Sequence, residues 1–537
     1  MLLAARGLSV TVELDRLGVP PESRTRGTGV HRKILRSANM KMMLQSRSSP
    51  VYPAPRARGS LMQSLVQSLG QSVTGSLAAL RRTRRGVLAA GALALAGLAL
   101  PLSVHADNKG LWDTSQQWVG TWGTAPAGPP LPAQTQTFTD QTLRLIVHTS
   151  IGGSQVRIRV SNELGTTPLR IGAAHIALRQ SGADIVPGSD RVLTFSGATS
   201  ITVPPGAPVL SDPVALNVPA LGDLAVSLYL PGEVQATTIH GSAFQTNYVS
   251  LPGNFTGAAT LPTQRTITAW PFLTEVDVDA PGAGAIVALG DSITDGAVTT
   301  IDANRRWPDL LALRLQTTRD QVAGAKASPG APSASTSAAL QALNSRLGVV
   351  NRGIGGNRLL RDPGEQPLFG RAALARFDRD VLATAGVRYL IVLIGINDIG
   401  HPGTGTIPVS ESVTAQDLIA GYRQLIARAH AKGIPVYGAT LTPFEGTVFP
   451  GYYTPEKEAV RQAVNNWIRS SDEFDAVIDF DRAVRDPSHP TRMLPAYDSG
   501  DHLHPNDLGM QAMANAIPLE LFRGSVAAVP AGQQKRK

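Results

Sequence analysis

Ile286-Val287-Ala288-Leu289-Gly290-Asp291-Ser292-Ile293-Thr294-Asp295-Gly296 runs from four apolar residues straight into a glycine and a polar, turn-forming stretch. An unbroken apolar run of this length fits a strand buried on both faces. Four more follow: Leu347 to Val350, Tyr389 to Ile394, Val436 to Leu441 and Ala476 to Ile478. Helix-period segments lie between them, at Trp307 to Leu315, at Leu418 to Lys432 behind the capping box Thr414-x-x-Asp417, and at Glu456 to Arg469 opened by Thr454-Pro455. Asn506 to Phe522 reads as a closing helix, and the Ala/Ser/Pro/Gly-rich stretch Ala323 to Ser337 as a surface loop. Alternation of this kind predicts an α/β domain over 283–522, a parallel sheet with helices on both faces in three α/β/α layers. Functional residues then collect beyond the carboxyl ends of the strands.

Upstream of the linker Ala280-Pro281-Gly282-Ala283-Gly284 the period changes to two. Val156, Ile158 and Val160 alternate with Arg157 and Arg159, and Leu224, Val226, Leu228 and Leu230 with Asp223, Ala225, Ser227 and Tyr229. Clusters such as Ile151-Gly152-Gly153 and Val203-Pro204-Pro205-Gly206 punctuate the runs, and no helix of any length is evident from Trp118 to Val278. The pattern predicts an all-β, sandwich-like domain over 107–282.

The chain is 537 residues long with a formal charge of +9, but 15 of its Lys and Arg and only 3 of its Asp and Glu lie in residues 1–85. The remainder carries 34 basic and 37 acidic residues, so a nucleic-acid partner is not expected. The absence of cysteine excludes disulfides, Cys-zinc sites and a thiol nucleophile. Arg81, Arg82, Arg84 and Arg85 precede the apolar stretch Val87 to Leu100 and the small-residue site Val104-His105-Ala106, the order of an export signal over 81–106. Thr83-Arg84-Arg85-Gly86-Val87-Leu88 has the form of a twin-arginine signal. The uncharged run Gly86 to Val104 approaches a membrane span in length, yet its Ala and Gly content and the Ala106 site favour cleavage. These features predict a secreted or periplasmic protein that meets the export machinery transiently. Residues 1–80 read as a low-order extension, with Met62 as an alternative start, and 523–537 as a tail.

Four clusters follow the apolar runs or precede the last helix. Ser292 stands at a tight strand-to-helix turn, where a hydroxyl is exposed for attack. Asn351-Arg352-Gly353-Ile354-Gly355-Gly356-Asn357-Arg358 is rich enough in glycine for backbone N–H groups to approach an anion. In Gly395-Ile396-Asn397-Asp398 the Asn397 amide offers an uncharged donor. Three pairs, Asp398/His401, Asp486/His489 and Asp501/His504, have a carboxylate three residues before a histidine. Spacing does not choose among them; position does, because only Asp501-His502-Leu503-His504-Pro505 immediately precedes the last helix, and the other two pairs read as loop residues, with His502 facing solvent. Trp118, Trp122 and Trp270 read as core, with stacking on sugar rings as the alternative.

In order and spacing these clusters resemble the blocks of the SGNH hydrolases, the GDSL esterases and lipases: Gly-Asp-Ser, a glycine block, Gly-x-Asn-Asp and a C-terminal Asp-x-x-His. The leucine that names the family motif is Ile293 here, and the glycine block offers both Gly355 and Gly356, of which counting from Asn351 selects Gly356. The resemblance implies Ser292 as nucleophile, His504 as its base and Asp501 as the orienter. It further implies an oxyanion hole of the Ser292 and Gly356 N–H groups and the Asn397 side chain, with neither metal nor cofactor required. The expected substrate is a carboxylic ester, short-chain or carbohydrate O-acyl first and lipid or lysophospholipid second. A non-catalytic surface or carbohydrate-binding protein on the same scaffold is the alternative of another class.

Overall fold

The computed structural model describes residues 116–324 and 346–522, apart from Pro129 and Thr406. The expected extension, export signal and C-terminal tail, and nearly all of the loop expected at Ala323 to Ser337, lie outside the described residues.

Five strands form one parallel sheet in the order Leu347–Gly353, Gly284–Gly290, Val387–Leu393, Val436–Ala439, Ala476–Ile478. All five apolar runs are in it. Helices including Trp307–Gly324, Ala415–His430, Pro455–Ser470 and Asp507–Ala516 bury most of the strands' side chains, Ala285 and Val350 are buried against the β-rich region instead, and Ala476 and Val477 on the edge strand are half-buried. The first strand in the chain lies between the second and third, so the connections leave it in opposite directions. In sheets with this order, loops diverge at the carboxyl edge of the switch point, here between Gly284–Gly290 and Val387–Leu393, and ligands bind at that edge. Ser292 and Asn397 both emerge there.

Helix ends follow their capping residues. Thr414 and Asp417 form the reciprocal box, Thr414 Oγ1 accepting from the Asp417 N–H at 3.2 Å and Asp417 Oδ2 from the Thr414 N–H at 2.8 Å. The closing helix is shorter than expected: it ends at Ala516, and a 3-10 turn, Leu519–Phe522, follows. Pro518 lacks an N–H and drives Ile517 to extended backbone, φ −81° and ψ 115°. The helix from Trp307 is longer than expected and continues to Gly324.

Before this domain the chain forms antiparallel sheets, one of them curled as a half-barrel. Trp118–Gly123, Leu273–Asp279, Gly153–Ser161 and Val214–Val218 lie side by side in one sheet, and Thr137–His148 and Asp223–Gln235 are central in the other. Val156, Ile158 and Val160 meet Leu224, Val226, Leu228 and Leu230 in a common core. Arg157 and Arg159, on the opposite face, pair with Asp277 and Glu275. Trp122 and Trp270 are core residues, edge to face at 5.0 Å, and Arg157 covers the Trp118 ring at 4.4 Å.

The two regions share buried surface. Val350 of the parallel sheet belongs to the β-region core, the Ser150 hydroxyl accepts from the Val349 N–H at 2.8 Å, and Gly120 donates to the Ala385 carbonyl at 2.9 Å. Fully buried Arg352 crosses the boundary. It donates to the carbonyls of Thr124 at 2.6 Å and Thr274 at 3.0 Å, and it is paired with Glu275. Burial pushes the Glu275 carboxyl up, but the Arg159 and Arg352 charges outweigh it and hold the group below the usual carboxylate range. Neighbouring Asp277 goes the other way, to about 7, through burial and then the Glu275 charge.

Candidate active site

Ser292 opens a four-residue helix, Ser292–Asp295, at the end of the central strand. Asp291 caps it, Oδ1 accepting from the Ile293 N–H at 3.1 Å. Gly290 is required by space: a Cβ there would overlap the Thr294 side chain and the Leu393 carbonyl. Because Ser292 occupies the first helical position, its own N–H points out of the turn, with no oxygen of the described residues accepting from it.

More than two hundred residues later, Asp501 organises its own loop. Its Oδ1 accepts from the N–H groups of Leu503 at 3.0 Å and His504 at 2.8 Å, and Oδ2 faces His504 Nδ1 at 2.6 Å. His502 adopts φ 57° to let the backbone curl, and its ring turns outward to Asp498 Oδ2 at 2.5 Å. Burial alone would raise the Asp501 carboxyl, but the hydrogen bond and charge of His504 and the two N–H donors hold it well below the carboxylate range. A carboxylate at Nδ1 places that ring proton, so Nε2 is left as the acceptor. It lies 2.8 Å from Ser292 Oγ. Phe449 stands edge-on to the His504 ring at 6.4 Å.

The glycine block is tied to the serine turn. Asn351 Nδ2 donates to the Thr294 carbonyl at 2.7 Å, Ile354 N to the Gly290 carbonyl at 3.3 Å, and Gly355 N to Asp295 Oδ2 at 3.2 Å. Gly356 has φ 74°, and a Cβ on it would overlap the Phe369 ring. Asn397 is fixed at both ends of its amide: Nδ2 donates to the Asn357 carbonyl at 3.0 Å, and Oδ1 accepts from the Tyr452 hydroxyl at 2.8 Å. This leaves its second amide hydrogen available.

The other two Asp/His pairs do not form. Asp398 lies in the short helix Ile396–Gly400 and accepts from the N–H groups of Leu359 at 2.6 Å and Leu360 at 2.9 Å. His401 stacks on Phe369 at 5.2 Å instead, and burial pushes it down to about 4. Asp486 and His489 belong to a small hairpin, the latter exposed. Arg376 was not expected from the sequence and is central. Buried on Ala373–Phe377, it donates to the carbonyls of Gly290 at 2.9 Å and Arg352 at 2.8 Å and to Asn357 Oδ1 at 3.0 Å, joining the ends of two strands beneath the glycine block.

Buried Asp291 is raised to about 7, first by burial, with the Asp398 charge adding to it. Unfolded, it would titrate near its ordinary value of 3.8. Between these values the folded chain holds a proton that the unfolded chain releases, so this group costs stability as pH rises from about 4 to about 7, by an amount of the order of a few kcal/mol. Asp291→Asn keeps the acceptor for Ile293 and removes the charge. Its thermal midpoint is expected to fall less than wild type between pH 5 and pH 8; parallel curves would contradict a buried, titrating carboxyl.

Residues 288–512 match the family model described as GDSL-like Lipase/Acylhydrolase. Solved structures similar to the chain include three bacterial proteins. One, from Desulfitobacterium hafniense and described as a lipolytic protein of the G-D-S-L family, is 18% identical over 43% of this chain and 96% of that one, with a TM-score of 0.29. A GDSL-like lipase from Bacteroides thetaiotaomicron is 16% identical, covering 43% and 84%, TM-score 0.26. A carbohydrate acetylesterase family member from Sinorhizobium meliloti is 15% identical, covering 44% and 98%, TM-score 0.31. No curated protein matches the sequence. With this sheet, these four blocks at its carboxyl edge and the family match, residues 288–512 are a GDSL-like lipase/acylhydrolase (SGNH) domain, preceded by an N-terminal β-rich region.

Proposed function

We propose that the protein is a serine esterase that cleaves carboxylic esters through an acyl-enzyme on Ser292. The observation that carries this reading is the relay from Ser292 Oγ to His504 Nε2 at 2.8 Å and from His504 Nδ1 to Asp501 Oδ2 at 2.6 Å. His504 takes the Ser292 proton as Oγ attacks the ester carbonyl. The imidazolium formed is stabilised by Asp501 and then protonates the departing alcohol. A water molecule repeats the sequence to release the acid. The Ser292 and Gly356 N–H groups and the free Asn397 amide hydrogen are the donors for the tetrahedral oxygen. Residues supplying every role are present, which favours a catalyst over a binding protein that has lost its chemistry.

Short acyl groups, including O-acyl groups on carbohydrate, are the proposed substrates. Support comes from the aromatic rings set against both ends of the constellation, Phe369 at Gly356 and Phe449 at His504. The order of residues 81–106 supports action outside the cytoplasm. Incubation with a fluorophosphonate should add one adduct per chain, on Ser292, and p-nitrophenyl acetate should turn over faster than the octanoate. An adduct elsewhere would refute the nucleophile; a preference for octanoate would favour the lipase reading.

A further inference from the structure

The β-rich region places one side chain against the segment that carries Ser292. His240, in the two-residue bridge Ile239–His240, points Nε2 at Asp295 Oδ1 at 2.9 Å; both side chains are buried. Asp295 closes the helix that Ser292 opens, and its second oxygen, Oδ2, accepts from the Gly355 N–H. We propose that His240 is a positioning residue for ester hydrolysis, acting through Asp295 to fix the Gly355–Gly356 turn that presents an N–H to the reacting oxygen. This rests on the serine-esterase reading above.

Two consecutive glycines have wide backbone freedom, so the direction of the Gly356 N–H has to be set by what holds the turn. Ile354 N and Asn357 N are bonded to the Gly290 and Ile354 carbonyls, and Asp295 supplies the bond at Gly355. Asp295 is itself held. His240 Nδ1 faces the Ala125 carbonyl at 2.9 Å, and a carbonyl and a carboxylate both only accept, so the ring donates from both nitrogens. Burial alone would lower His240, but the Asp295 charge and hydrogen bond keep it above the ordinary histidine value. The other charge near the pair is Arg306, which donates to the Asp295 carbonyl at 2.9 Å and lies 5.5 Å from the centre of the Trp270 ring, itself 5.7 Å from the His240 ring. The result is a clamp with one face in each region. An oxyanion donor works only if its direction is set before charge develops, so loosening the clamp should act on turnover more than on substrate affinity.

The test uses the full chain and p-nitrophenyl acetate. His240→Ala is expected to lower kcat about 10- to 100-fold with KM within about twofold, the size of a weakened but present oxyanion donor. His240→Gln, which can still donate to Asp295, should recover most of that loss. Affinity for a trifluoromethyl ketone that forms a tetrahedral adduct should fall in step with kcat/KM. The acid limb of the pH–rate profile should not move, because His240 touches none of Ser292, His504 and Asp501. Ser292-dependent turnover indifferent to His240→Ala would overturn the positioning role alone, as would a loss that His240→Gln does not relieve. Turnover that survives Ser292→Ala would overturn the esterase reading and this role with it.

Discussion

Ser292→Ala is expected to reduce kcat for acetyl esters by about 10^6-fold while the fold and its thermal midpoint stay close to wild type. The magnitude follows from serine hydrolases in which losing nucleophile or base removes the whole covalent route and leaves only binding and oxyanion stabilisation. The variant should keep His504 in place, since Asp501 grips that residue through both its ring and its backbone N–H. Asp501→Asn should cost about 10^4-fold, because an amide facing Nδ1 no longer enforces the tautomer that leaves Nε2 free. Asn397→Ala should cost less, about 10^2- to 10^3-fold, as one donor among three. The order Ser292, Asp501, Asn397 is the diagnostic result; rates from the three variants within tenfold of wild type would remove this chemistry from the site.

The second large effect is on stability. Glu275→Ala should cost about 3–5 kcal/mol, because it removes the carboxylate that answers Arg352, a guanidinium with no exposed surface. Arg159 and the Ala385 N–H lose the same acceptor. The dependence on pH follows from the depressed carboxyl: its contribution is complete above the unfolded value near 4.5 and fades as pH falls through the lower folded value. Urea denaturation at pH 7 and at pH 4 should therefore show a larger gap between variant and wild type at pH 7. A gap under 0.5 kcal/mol at pH 7, by the usual scale for exposed pairs, would mean that Arg352 finds another partner.

The parts of this molecule that could be read from sequence are those written locally. Each parallel strand is a short apolar run, and Ser292, Gly356 and Asn397 each follow one of them. The Asp501/His504 pair is four residues of self-contained hydrogen bonding, so its internal geometry needs nothing distant. The helix Ala373–Phe377 and its continuation Asp378–Leu382 were missed because their inward side carries Arg376 and Asp380, which are charged and buried. Ala373, Phe377 and Val381 share that face at helical spacing, but the two charges interleaved with them break the apolar pattern. Burial pushes Asp380 up, yet Arg379 and Arg376 hold it well below the usual range, so the inward charges neutralise one another. Pro518 sets the end of the last helix, and the apolar Leu519, Leu521 and Phe522 beyond it continue the sequence pattern without continuing the helix. His240 and Asp295 left no signal at all, because 55 residues separate them and neither belongs to a periodic or spaced pattern with the other.

The buried Glu275–Arg352 bridge bears on how such a chain could be recombined. A gene fusion that cut at residues 280–283 and attached the downstream half to a foreign partner would take from Arg352 the Glu275 carboxylate and the Thr124 and Thr274 carbonyls, a loss that is costly wherever the new joint is apolar. The antiparallel half transplanted alone would keep Glu275 paired with Arg159 but strip it of Arg352 and of the Ala385 N–H. Shuffling at this breakpoint therefore carries its cost on the downstream side, where a new partner would have to supply an acceptor for Arg352 or leave it in water.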